Sequence, residues 1–252
     1  TNEISRYDIL SNYTIFPDKI AVWGNVQKNY LSNTHNIPDN KIIVCGSPRH
    51  DSFFKLSSTS ITSKEKIILL CPRPIVEPAA RHHTRMYIKY EYNLKKIISE
   101  LNKIKNCKLI VKLHPGDIDH NNLIKNIVNE INPNIIVFHT KSIHELIIQS
   151  NLVLVLSPDG FDPSTVILES IILKKPIINF ILDEKFYNFS FDQYNAVISI
   201  TKNDDVGKIV LNIFNDSKFR NNLISNGKIF LDDYLSNHQH AAKTLAKKLL
   251  KL

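Results

Sequence analysis

Runs of apolar residues recur along the chain with polar, helix-period stretches between them. The runs Lys19–Trp23, Lys41–Cys45, Ile67–Cys71, Lys108–Leu113, Ile135–Phe138, Leu152–Leu156, Pro176–Phe180 and Ala196–Ile200 are short and rich in Ile, Leu and Val. They bear the signature of β-strands. Helical patterns fall near 25–34, 87–105, 120–131, 142–150, 164–174, 203–215, 217–235 and 238–251. Strands that alternate with helices predict a parallel sheet with helices on both faces, and nearly unbroken apolar strands fit one buried on two sides. The fold class expected is α/β, Rossmann-like.

A small, polar stretch from Lys55 to Ser63 lacks apolar period and reads as a linker. It separates a β-α-β segment over 1–55 from a larger domain over 66–252. The former is too small to be a domain.

Composition narrows the class. With 252 residues and 43% hydrophobic content, the chain can bury a sizeable core. No apolar run approaches the ~20 residues that cross a bilayer, and a cytoplasmic location is expected. Cys45, Cys71 and Cys107 form no CxxC pair, so they read as buried strand thiols in a reducing compartment. The net charge of +8 favours anionic partners, but its lysines are scattered without interleaved aromatics. That pattern argues against nucleic acid as partner. Contact of the basic C-terminal helices with the inner face of a membrane is the weaker alternative to a solvated helix.

Ligands of open parallel sheets bind at the carboxyl ends of the strands. Polar residues cluster there: Arg73 between two prolines, the His114-Pro115-Gly116-Asp117 string, His139 to Ser142, and Ser157 to Gly160. Ser164 and Thr165 open a helix whose positive end can receive an anion, with Pro163 at a turn or first helical position. Glu169 lies about one turn deeper, where it can accept hydrogen bonds from ribose hydroxyls. The competing reading of this element is a simple helix cap with a surface carboxylate. His114, held extended by the following proline, can donate to a phosphate or act as acid or base. Arg73 can grip a phosphate bidentately. His144 opens a helix near the expected base or ribose. Adjacent His82 and His83 within the basic 81–85 cluster lack the spacing of a helical metal pair, and neither a metal nor a cofactor is expected. Glycine-rich dinucleotide, P-loop and serine-hydrolase signatures are missing from the sequence.

Four short motifs in order carry a resemblance: Asp18 to Gly24 with its Trp23, Gly46-Ser47-Pro48-Arg49-His50-Asp51, Lys112-Leu113-His114-Pro115, and Ser164-Thr165 to Glu169 followed by Lys175-Pro176. Together they resemble GT-B-fold transferases of surface-polysaccharide synthesis, of the capsule and CDP-glycerol type, and their relatives the UDP-N-acetylglucosamine 2-epimerases. The resemblance implies the C-terminal half of a GT-B fold plus a short piece of the N-terminal half. It also implies a metal-independent glycosyl or glycerol-phosphate transferase using a UDP-, CMP- or CDP-linked donor and a saccharide or lipid-linked acceptor. Ser164 and Thr165 would hold the donor phosphates, Glu169 the ribose or sugar, and His114, the catalytic candidate, would stand near the diphosphate. The glycine-rich turn often found after the first strand of that half is replaced here by Cys71-Pro72-Arg73-Pro74. A 2-epimerase and a non-catalytic nucleotide-binding module are the alternatives, the last because most of the acceptor half is missing from the sequence and the chain reads as a fragment.

Overall fold

The structure, a computed structural model, describes residues 18–56, 65–75, 83–116, 118–158, 164–182 and 189–250. The predicted alternation is realised in eight strands and ten α-helices among the described residues. Strands β1 (Ile20–Val22) and β2 (Ile42–Val44) flank helix α1 (Asn25–His35) and pair in parallel as a separate two-stranded sheet. Helix α2 (Asp51–Leu56) follows, so Lys55 and Leu56 are helical rather than linker. Residues 57–63 of that expected linker lie outside the described residues.

The large sheet contains β3 (Lys66–Pro72), β4 (Cys107–Lys112), β5 (Ile136–Phe138), β6 (Leu152–Ser157), β7 (Ile177–Ile181) and β8 (Ile198–Ile200), all parallel. Their spatial order is β5-β4-β3-β6-β7-β8. The connecting helices are α3 (His83–Asn102), α4 (Ile118–Ile131), α5 (Ile143–Gln149), α6 (Thr165–Ile172) and the four-residue α7 (Ser190–Gln193). Every residue of β6 and β7 is buried. Alternate side chains of the strands feed two cores, one under α3, α4 and α8 (Val206–Asn215), the other under α5, α6 and α9 (Ser217–Tyr234). At ~1.5–3 kcal/mol for each fully buried aliphatic side chain, this two-sided burial dominates the fold.

The order has one topological consequence. The chain starts at β3, runs out to β5, returns to β6 and then proceeds to β8, so the crossovers diverge between β3 and β6. A crevice opens there at the carboxyl ends of the strands.

The C-terminal helices return to the small sheet. Gly24 and Gly46 are the points of closest approach: a Cβ on Gly24 would lie 2.3 Å from the Tyr234 carbonyl oxygen, and one on Gly46 2.1 Å from that of Ser236. Gly46 also has φ +87°, a left-handed conformation that glycine adopts without steric cost. The Ser236 amide donates to the Trp23 carbonyl at 2.8 Å. Asp51 accepts from the amides of Ala241 and Ala242, each at 3.0 Å, and so caps helix α10 (Ala241–Leu249) from 190 positions away. Among the described residues, no helix is long and apolar enough to cross a membrane.

Candidate functional site

A cleft of about 890 Å³ opens at the carboxyl ends of β3, β4 and β5, with α6, which follows β6, beside it. Backbone bonds hold its floor in register. The Arg73 amide donates to the Leu156 carbonyl at 3.0 Å, tying the end of β3 to β6. Leu113 donates to Phe138 at 2.8 Å, tying β4 to β5. The Lys112 ammonium reinforces the second junction, donating to the carbonyls of Leu113 and His139, both at 2.8 Å. Burial holds its pKa below the usual lysine range.

Arg73 and His114 both line this cleft. The Gly116 amide donates to Nδ1 of His114 at 3.2 Å, which leaves the proton of a neutral ring on Nε2. Asn121 donates to the His114 carbonyl at 2.7 Å and fixes the loop from below. The imidazole therefore offers an N–H donor.

Helix α6 supplies the opposite wall. Ser164 sits at its N-cap in an extended conformation, yet its side chain makes no capping bond. The Ser164 side chain therefore does not cap the helix; in the first turn the Ile167 amide donates to the Ser164 carbonyl at 2.9 Å, and the amides of Thr165 and Val166 face the same helix start. Ser164 is buried and Thr165 exposed, and both line the cleft. One turn deeper, Glu169 is 2% exposed, so it is not a surface carboxylate. Burial raises its pKa, and the Arg49 guanidinium opposes that rise. Arg49 Nη2 stands 3.6 Å from Glu169 Oε1. Beside them burial pushes the pKa of the Cys71 thiol up to about 12, so it stays protonated.

The structure thus brings Arg73, His114, Ser164, Thr165 and Glu169 to one cleft. His144 is placed differently: its ring packs edge-on against Phe53 with centroids 3.7 Å apart, and it does not line the cleft. Burial holds its pKa below the ordinary histidine value. Pro163, Asp159, Gly160, Asp117, Arg81 and His82 lie outside the described residues, as do the side chains of 83–85. Among the described residues, no group of three or more His, Cys, Asp or Glu side chains is placed to hold a metal ion.

Arg49, Lys112, Trp23 and Tyr234 also line the cleft and were not foreseen as site residues. For Trp23, Arg49 and Lys112 the signal was present, since each stands inside one of the four motifs. Tyr234 comes from α9, far along the chain, with no local pattern to betray it.

The family model of CDP-glycerol:poly(glycerophosphate) glycerophosphotransferases matches residues 5–200. A search of curated proteins finds no match. Among solved structures, the chain is similar to a UDP-GlcNAc 2-epimerase from Neisseria meningitidis bound to UDP-GlcNAc, with a TM-score of 0.62 and 15% identity over 99% of this chain and 68% of that one. It is similar to a glycosyltransferase from Rickettsia africae, with a TM-score of 0.58 and 16% identity over 93% of this chain and 64% of that one. The wall teichoic acid polymerase TagF gives 0.51 and 15% over 93% of this chain and 58% of that one. This chain therefore spans less than two thirds of the length of the latter two proteins. At these identities the structures establish the shared fold, a Rossmann-like half of the GT-B architecture. By its sequence match over 5–200 and the motifs that line the cleft, the chain belongs to the CDP-glycerol:poly(glycerophosphate) glycerophosphotransferase family.

Proposed function

We propose that the cleft binds the nucleotide-activated donor of a glycosyl or glycerol-phosphate transferase of cell-surface polysaccharide synthesis. The observation that carries this reading is a buried carboxylate, Glu169, one turn below a helix start whose N-cap side chain leaves the amides uncapped, at the switch point of a parallel sheet. A helix start of this kind carries roughly half a positive charge and suits a phosphate. The carboxylate below it suits the hydroxyls of a ribose. Ser164 and Thr165 take the donor phosphates, Arg73 adds a guanidinium, and His114 donates through Nε2 to the departing nucleotide. Donors aimed at charge that develops on the leaving group lower the barrier without a metal. The base is uracil or cytosine, and the acceptor a saccharide or lipid-linked chain reached from the inner face of a membrane. Residues 1–55 stand as a remnant of the N-terminal half beside this donor domain in the sequence.

Calorimetry with CDP and UDP tests the assignment. Binding by the wild-type chain, weakened at least ~10-fold by Glu169→Gln or Thr165→Ala, is the expected result. Undiminished binding by both variants overturns it. Conversion of UDP-N-acetylglucosamine to its 2-epimer without an acceptor would replace transfer by epimerisation.

A further inference from the structure

Glu169 poses a problem that nucleotide binding alone does not solve. Its side chain is 3% exposed and sits on an apolar helix between buried Ile167 and Ile171. A carboxyl in such surroundings tends to take up a proton rather than carry charge. A protonated carboxyl spends one oxygen as a donor, whereas a vicinal diol, which presents two O–H groups, is best met by an acceptor-only carboxylate.

Arg49 answers this need from outside the helix and outside the large sheet. It belongs to the 3-10 turn Pro48–His50, between β2 and α2. Anchors hold that turn on both sides: Gly46 packs against the Ser236 carbonyl, and Asp51 caps α10. Ser47 Oγ meets His50 Nδ1 at 2.7 Å within the turn. The guanidinium is thereby placed 3.6 Å from the carboxylate while its side chain stays 63% exposed. A pair so open on one side adds little to stability. Its geometry fits a different task.

We infer that Arg49 is a positioning residue that keeps Glu169 ionised, and that it thereby sets the preference of the donor cleft for ligands bearing an intact ribose diol. The inference rests on the donor-site reading. The other ionisable groups around the carboxylate do not serve this purpose. Cys71 at the end of β3 stays a neutral thiol, and Lys112 on β4 is directed to the carbonyls of Leu113 and His139. His50 follows Arg49 on the same turn, Asp51 at the start of α2 caps α10, His144 on α5 interacts with His50, and Tyr234 on α9 lines the cleft. Burial raises the Glu169 pKa and Arg49 lowers it, so loss of Arg49 moves the carboxyl toward protonation at higher pH.

The test compares affinities for CDP and UDP with those for their 2′-deoxy forms between about pH 5.5 and 8.5, by calorimetry on the full chain. Each ratio of ribo to deoxy affinity cancels the ionisation of the phosphates and of the histidines, which both ligands share. Wild type is expected to prefer the ribo form by ~10-fold. In Arg49→Met that preference persists at the alkaline end and is lost on acidification at a higher pH than in wild type. Arg49→Lys restores much of the wild-type profile, and Glu169→Gln shows little preference at any pH. A preference in Arg49→Met that follows wild type throughout overturns the inference and leaves donor binding intact. So does an equal loss of affinity for both forms, which marks Arg49 as a phosphate ligand. No binding of CDP or UDP by wild type overturns the donor-site reading and the inference together.

Discussion

His50 shows how a single side chain at this junction couples the fold to pH. It is fully buried, bonded through Nδ1 to Ser47, and packed edge-on against Trp23 at 5.6 Å between centroids. Burial first, then the neighbouring Arg49, holds its pKa down at about 4, against 6.5 for a free histidine. A base whose folded pKa is depressed contributes stability that is complete above the unfolded value and is lost as pH falls toward the folded one. The window runs from about pH 6.5 to 4, and the loss is on the order of 3 kcal/mol. Glu169, whose folded pKa is raised, changes stability in the opposite direction on acidification, so the two must be separated by a variant. His50→Gln is expected to lower the denaturation midpoint at pH 7, and its deficit relative to wild type should shrink as the pH approaches 4. Urea titrations at pH 7, 5.5 and 4 check this. His114 was readable in the sequence because the proline after it fixed its direction. The roles of His50 and Arg49 were not, although both stand inside a motif, because those roles depend on a turn whose anchors lie some 190 residues away.

At the scale of elements, the junction between the small sheet and the C-terminal helices is specified by a few positions. Gly46→Ala would force a left-handed residue with a Cβ against the Ser236 carbonyl and within 2.8 Å of the Ala241 methyl. Strain and overpacking together predict a destabilisation of ~2–4 kcal/mol, read as a lower midpoint in urea at unchanged slope. Asp51→Ala removes the cap of α10 and is expected to cost about 1–2 kcal/mol. Hydrogen exchange should localise that loss to 241–249, while the amides of β6 keep their protection. The central strands were legible because burial on both faces writes itself as unbroken Ile, Leu and Val, and the partly exposed β1, β2, β5 and β8 were legible as short apolar runs. Helices α2 and α7 were not, since six and four residues are too few to establish a helical period. Helix α2 forms around Phe53, buried against the second core, an interaction of tertiary origin. The cleft was legible as a set of strand ends, but its closure by Arg49, Trp23 and Tyr234 required the return of α9 to the N-terminal segment.

At the scale of the whole molecule, the cleft is lined by parts that are far apart along the chain. Arg49 and Trp23 come from the small sheet and its junction, Arg73 and His114 from strand ends, and Tyr234 from a helix that packs against α1, α6 and α8. An anionic nucleotide in this cleft binds the folded chain and not the unfolded one, so it stabilises all of these parts together. At a concentration 100 times its dissociation constant the gain is about 2.7 kcal/mol. For a chain of this size, that corresponds to a rise of roughly 5–10 °C in the denaturation temperature. The net charge of +8 gives the effect a second signature. Attraction between a cationic protein and a diphosphate is screened as the Debye length falls from about 10 Å at 0.1 M salt to 3 Å at 1 M. Thermal melts with CDP or UDP at 0.05 and 0.5 M salt should therefore show a clear stabilisation that shrinks at the higher salt, while the nucleoside lacking phosphates gives a smaller, salt-insensitive shift. A stabilisation equal for nucleoside and diphosphate would place the recognition on base and ribose and remove the phosphate role from Ser164, Thr165 and Arg73.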